Sequence, residues 1–306
     1  MRKISRQRIA VVLAIVLPLF AGVLVLTASQ VGVTSEICRG GIPLSATDLS
    51  AVPQGVADDA AKLATELFGD SQEKYDDFVN QLLGAYLEAK DKDFVLVFNS
   101  GGWGWSLVET SPGWLSIFTG IESELNSSGY TSLLLTHQRT DDTLQGRLDE
   151  IVQMITGYSS KAEDLACRVE FLTTHIPDLR VIIAGESNGT VICDQTMNIL
   201  TDSPQVYSIQ TGPPFWHDNI MLDRTLIMTY NGRITDSFSQ GEFLTLIRAN
   251  LRALFGLPQP ENESGIVFSF IRAPGHDYWW QYPEVHSQIT NFLDKNFGIK
   301  QRQAFR

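Results

Sequence analysis

Six short apolar or β-branched runs recur from the middle of the chain to near its end: "FVLVFN" from 94, "TSLLLT" from 131, "RVIIAG" from 180, "QVYSIQ" from 205, "TLIMTY" from 225 and "IVFSFI" from 266. Most of the intervals between and after them can hold a helix, notably 112–127, 142–176, 188–200, 240–256 and 283–296. Strands that alternate with helices need crossover connections, and crossovers make a sheet parallel. The runs are almost continuously apolar, as strands covered on both faces must be. The pattern predicts an α/β fold: a mostly parallel sheet of about six strands with helices on both faces.

In such a sheet, ligands bind at the carboxyl ends of the strands. The loops at those ends are "NSGGWGWS", "HQRTDD", "GESNG", "TGPPFWHDN", "NGRITDSFS" and "RAPGHDYWWQ". The third fits G-x-S-x-G, and Ser187 falls where the strand "RVIIA" hands over to a helix beginning near Asn188. A nucleophile elbow needs small neighbours because the turn strains the serine and packs helix against strand. The turn also brings Ser187 to a helix N-terminus, whose amides and dipole favour a developing oxyanion. Taken alone, the same five residues also suit a plain glycine-rich strand-to-helix turn.

A serine hydroxyl needs a base from a later loop of the same edge. His276 follows the last apolar run and precedes the last helical stretch, so it is the expected base. His137 and His217 lie on the same edge as candidates to line a pocket, His286 falls inside the last helix, and His175 is on the opposite side. An imidazole in turn needs a carboxylate to fix its tautomer. Asp236, in the loop after "TLIMTY", is the first choice and Asp218 the second; a helix cap is the plain alternative for Asp236. Asp277, adjacent to His276, is expected to point elsewhere.

On these residues the chain resembles the α/β-hydrolase superfamily of serine esterases and lipases, from about residue 93 to 297. The matching segments are "FVLVFNSGGWG", "GESNG", Asp236 after the penultimate run and "PGH" with its trailing amphipathic stretch. The resemblance implies Ser187 as nucleophile, His276 as base, Asp236 as acid, and no cofactor. It also implies an oxyanion hole from the backbone amides of Asn188 and of Trp103 or Gly102. Two features depart from the family pattern: no strand is expected before "FVLVFN", and the interval from Asp236 to His276 has room for an extra helix.

All six tryptophans lie in or just after three of the strand-end loops. Trp105, Trp216 and Trp279, with Phe215, are expected to wall an apolar cleft that binds an acyl chain or aromatic group, at about 0.8 kcal/mol per buried methylene. A small-molecule or lipid-like ester or thioester is the expected substrate.

The N-terminus supplies a second constraint. Arg2, Lys3, Arg6 and Arg8 precede residues 9–28, which carry no charge. As a helix that segment spans about 30 Å, one hydrocarbon core. The expected organisation is therefore a cytoplasmic tip and membrane anchor over 1–28, a linker over 29–54, and a hydrolase-like domain over 55–306 with a helical lead-in at 55–92. The basic flank stays inside, so the domain lies across the membrane. A cleaved signal peptide, the competing reading, exports it equally.

A net charge of −12 repels nucleic-acid phosphates, so that partner class is not expected. Cys38, Cys167 and Cys193 form no C-x-x-C, leaving at most one internal disulfide. Cys167 and Cys193 read as buried helical thiols, and Cys38 as a linker thiol that an oxidising compartment could pair. The dipeptides His217-Asp218 and His276-Asp277 resemble those of metal-dependent phosphohydrolases, but they fall in loops and lack H-E-x-x-H spacing, so no metal site is expected. A hydrolase-like domain that binds without catalysis is the alternative from another class.

Overall fold

Five of the six apolar runs form the centre of one sheet. A computed structural model describes residues 35–69, 72–258, 260, 264–268 and 270–298. In it β3 (Phe94–Asn99), β4 (Ser132–Gln138), β5 (Arg180–Glu186), β6 (Val206–Thr211) and β7 (Thr225–Met228) are parallel in the order β4-β3-β5-β6-β7. The expected mostly parallel α/β sheet is therefore present.

The two faces read directly from the alternation within each strand. Val95 and Val97 of β3 join Val181 and Ile183 of β5 in one core, closed by α1 (Gln54–Phe68), α2 (Gln72–Ala89), α5 (Ser159–His175) and α6 (Asn188–Ile199). Phe94, Leu96 and Phe98 join Ile182 and Ala184 in the other, closed by α3 (Pro112–Ser127) and α8 (Pro283–Phe297). Each fully buried aliphatic side chain contributes about 1.5–3 kcal/mol.

Three expectations are corrected. Residues 36–43, assigned to a linker, form β1 (Glu36–Arg39) and β2 (Ile42–Pro43), so strands do precede "FVLVFN". β1 runs antiparallel along β4 and caps an otherwise open edge, with Ile37 and Cys38 buried and the Ile37 amide donating to Gln81 Oε1 at 3.0 Å. A four-residue strand is too short for its period to stand out. Second, "IVFSFI" adds no sixth parallel strand. It folds into a hairpin of β8 (Ile266–Val267) and β9 (Ile271–Arg272), turning at Phe268, whose φ is +50°. Third, the interval 142–176 holds two helices, α4 (Leu144–Ile155) and α5, parted at Gly157 and Tyr158.

The extra helix between Asp236 and His276 is present as α7 (Phe243–Leu254). All three cysteines are free, and burial pushes the Cys38 and Cys167 thiols each up to about 11. Segment 9–28 lies outside the described residues. Among those described, no helix is long and apolar enough to cross a membrane.

Candidate active site

The chain crosses from β3 to β4 on one side and places β5 on the other side of β3. The loops that follow β3 and β5 therefore part at their carboxyl ends, the position where open α/β sheets hold ligands. Loop 100–104 and Ser187 meet there.

Ser187 follows β5 directly and stands at the N-cap of α6 with φ +51° and ψ −122°. A non-glycine residue in that region costs on the order of 1–3 kcal/mol. Both glycines of the pattern are explained by close approach: a Cβ on Gly189 would lie 2.1 Å from the Asn99 carbonyl oxygen, and one on Gly185 2.7 Å from that of Gly189. The Ser187 amide donates to the Thr211 carbonyl at 3.0 Å. Its Oγ is buried and makes no hydrogen bond.

Asp236 is fully buried and collects five donors. The amides of Phe238 and Ser239 donate to Oδ1 at 2.9 and 3.1 Å. Ser239 Oγ at 3.1 Å, His276 Nδ1 at 2.8 Å and the Tyr278 hydroxyl at 2.9 Å donate to Oδ2. With Nδ1 engaged, Nε2 is the ring nitrogen left for a proton from another group.

Burial alone would depress the His276 pKa; the Asp236 carboxylate against Nδ1 outweighs it, and the imidazole titrates above its usual value. Burial likewise opposes charge on Asp236, and the imidazole with its hydrogen bond overcomes that, holding the carboxyl below its usual range. Glu186 beside the serine is pushed up by burial, against the pull of the nearby His276.

Ser187 and His276 line one cleft of about 490 Å³. Their proximity is fixed through β6: Thr211 holds the Ser187 amide, and a Cβ on the next residue, Gly212, would lie 2.5 Å from His276 Cε1 and 2.9 Å from Asp236 Oδ2. Catalytic hydrogen bonds in ligand-free sites are often long and tighten on binding.

Opposite Ser187, the Gly102 carbonyl accepts from Arg139 Nη2 and Asn188 Nδ2, each at 3.3 Å. In a trans peptide the following N–H points the other way, so the Trp103 amide is turned from both donors. Arg139 also donates to the Ser100 carbonyl at 2.5 Å and pairs with the buried Glu150 at 2.7 Å, which accepts the Tyr158 hydroxyl at 2.7 Å. This clamp on the loop has no distinct sequence signal; an arginine directly after an apolar strand in "HQRTDD" is its only trace. Tyr278, an aromatic residue suited by sequence to a cleft wall, and Ser239 both hold Asp236, a role that no local pattern marks.

Of the expected cleft walls, Trp105 and Trp279 line the cavity, joined by Trp103, Trp114, Phe268 and Tyr278. The rings of Trp103 and Trp105 are stacked with centroids 6.0 Å apart. Phe215 and Trp216 do not line it; they stand 41% and 44% exposed on an outer aromatic group with Phe238 and Phe243. Their loop leaves β6 outward because His217 is tied to α6, its Nε2 2.9 Å from Asp194 Oδ2.

His137 is fully buried behind the cleft, with Nδ1 2.7 Å from Asn99 Oδ1. Asp218 is exposed, and the carboxylate on His276 Nδ1 is that of Asp236. Asp277 points elsewhere, as expected, accepting from Asn231, Ser264 and Tyr282. In both His-Asp dipeptides, then, the imidazole bonds a distant carboxylate and leaves its neighbour free for other partners.

No protein-family model and no curated protein matches the chain. Among solved structures it is similar to a Trichoderma reesei cutinase in complex with a C11Y4 phosphonate inhibitor, at 14% identity and a TM-score of 0.34, over 62% of this chain and 81% of that one. A likeness that faint decides neither fold nor chemistry. The class is set by the molecule's own geometry: a mostly parallel α/β sheet carrying a strained serine and a histidine–aspartate pair in one cleft at its carboxyl edge.

Proposed function

We propose that this chain is a serine hydrolase that cleaves a carboxylic ester or thioester through an acyl-enzyme. One observation carries the reading: Ser187, held at φ +51° with an unengaged hydroxyl, shares its cleft with a His276 whose Nδ1 is fixed by Asp236.

Ser187 Oγ attacks the substrate carbonyl carbon while His276 Nε2 takes its proton, and Asp236 stabilises the imidazolium. The oxyanion forms beside the amides of Asn188 and of Trp103 or Gly102; losing one such donor typically costs about 10²–10³ in rate. His276 then returns the proton to the departing alcohol or thiol, and water repeats the sequence on the acyl-serine. The indoles of Trp103, Trp105 and Trp279 give the cleft an apolar wall suited to an acyl chain or aromatic group.

The uncharged segment 9–28 with its basic flank supports a single-pass anchor, placing this chemistry on the extracytoplasmic side of a membrane. The test is turnover of a series of p-nitrophenyl esters and acyl thioesters by the full chain in detergent. Hydrolysis that rises with acyl length and vanishes in Ser187→Ala is expected. Turnover unaffected by that substitution overturns the reading.

A further inference from the structure

The outer face of α7 is apolar and uncovered. Phe243, Leu244, Ile247, Leu251, Leu254 and Phe255 are 48% to 84% exposed, and within the helix only Ala249 is buried. Positions 243, 247, 251 and 254 form one stripe along the helix. Its inner side packs through Leu246 on Phe238, Val267 and Ala273, next to His276, whose ring lies 5.2 Å from that of Phe238.

The apolar surface extends beyond the helix. Phe243 meets the exposed Phe215 at 5.0 Å, and Phe215 meets the exposed Trp216 at 4.9 Å. On the hairpin beside it Phe270 is 69% exposed, two residues from Phe268, which lines the cleft. Contiguous apolar surface of this kind marks a binding face.

Charge narrows the partner. In a chain of net charge −12, residues 243–257 contain Arg248 and Arg252 and no acidic side chain; Glu242 stands just ahead of the helix. The exposed Arg272 is tied to the helix by two hydrogen bonds between its backbone and Asn250, at 2.9 and 3.0 Å. Aromatic and leucine residues on one face with arginines beside them are the composition of a helix that lies in a lipid interface.

The tether points to the same partner. β1 is antiparallel to β4 with Glu36 opposite Gln138, so the described chain starts at the carboxyl rim, the edge that bears the cleft. Residues 29–34 separate Ser35 from the uncharged segment and reach about 20 Å at full extension. From β1 to β7 the rim is five strand spacings wide, about 24 Å. An anchor at 9–28 thus holds this edge close to the lipid.

We propose that the exposed face of α7, with Phe215, Trp216 and Phe270, docks on the anionic surface of the bilayer that anchors the chain, turning the cleft toward lipid-borne substrates. The proposal rests on the anchor in the reading above and is independent of the serine chemistry.

The test uses the full chain carrying Cys167→Ser and Leu251→Cys, labelled at residue 251 with an environment-sensitive dye; Cys38 and Cys193 are buried. It is reconstituted at low density in phosphatidylcholine vesicles with or without phosphatidylglycerol, using brominated acyl chains as quencher and a label at Lys62→Cys on α1 as control. Loss of most of the residue 251 emission in phosphatidylglycerol vesicles is expected, weaker without that lipid, absent at residue 62, and reversed by Ile247→Ser with Leu254→Ser. A chain that floats with the vesicles while its label stays unquenched and solvent-like overturns the docking and leaves the anchor standing. Blue-shifted, unquenched emission with cross-linked dimers assigns the face to a second copy and also overturns it. A chain that fails to float overturns anchor and docking together, while fluorophosphonate labelling of the same sample reports on Ser187 separately.

Discussion

His276 Nδ1 donates to Asp236 Oδ2 across 2.8 Å, forty residues apart in sequence and both buried. Among the described residues no other hydrogen bond holds that imidazole, so the pair determines whether Nε2 is free to accept a proton. Asp236→Asn is expected to lower kcat by about 10⁴ while leaving KM little changed, measured with a short-chain p-nitrophenyl ester.

The same pair sets the pH dependence. His276 acts as a base only when neutral, and its pKa is raised above the usual histidine value. The acid limb of kcat/KM is therefore expected above about pH 6.5, with activity lost as pH falls through it, and Asp236→Asn moves that limb lower. Stability follows linkage. The raised His276 contributes fully below its unfolded value, near 6.5, and the contribution is lost as pH rises through the folded value; the depressed Asp236 contributes above about 3.9 and is lost as pH falls through its folded value. The difference in Tm between wild type and Asp236→Asn should be largest between those two pH values and shrink on either side.

Gly212 borders the pair and has no room for a side chain. At φ +61°, a methyl group there would press on His276 Cε1 and Asp236 Oδ2. Gly212→Ala is expected to cut kcat by at least about 10², through displacement of the imidazole. Wild-type kcat in a folded variant contradicts the placement of His276.

Much of this arrangement was legible because it rests on local rules. The interval 112–127 became a helix with those same bounds, since Pro112 suits a first turn and the chain beyond Ser127 turns at Gly129. Ser187 and Asp236 could be picked out because a parallel sheet brings its strand-end loops to one edge; His276 instead follows the β8–β9 hairpin, outside that sheet, and still meets Asp236. What escaped depended on tertiary direction. Phe215 and Trp216 sit on the correct edge, yet their loop is drawn outward by the His217–Asp194 contact. β1 is held by the edge of β4 and not by any pattern of its own. "IVFSFI" has strand composition, but its midpoint turns, so it covers the cleft instead of extending the sheet.

The Arg139–Glu150 pair holds the loop opposite Ser187. Arg139→Met leaves the buried Glu150 carboxylate with the Tyr158 hydroxyl but without its guanidinium, and is expected to cost about 3–5 kcal/mol in chemical denaturation. Adding Glu150→Gln should recover much of that stability. It should not recover activity, because the Ser100 and Gly102 carbonyls remain without their guanidinium donor.

Phosphonylation of the serine tests the proposed chemistry most directly. The full chain treated with a fluorophosphonate, digested and analysed by mass spectrometry is expected to carry the adduct on Ser187, with Ser187→Ala and His276→Ala both unlabelled. A folded wild-type chain that takes no label, or one whose label persists in Ser187→Ala, contradicts it.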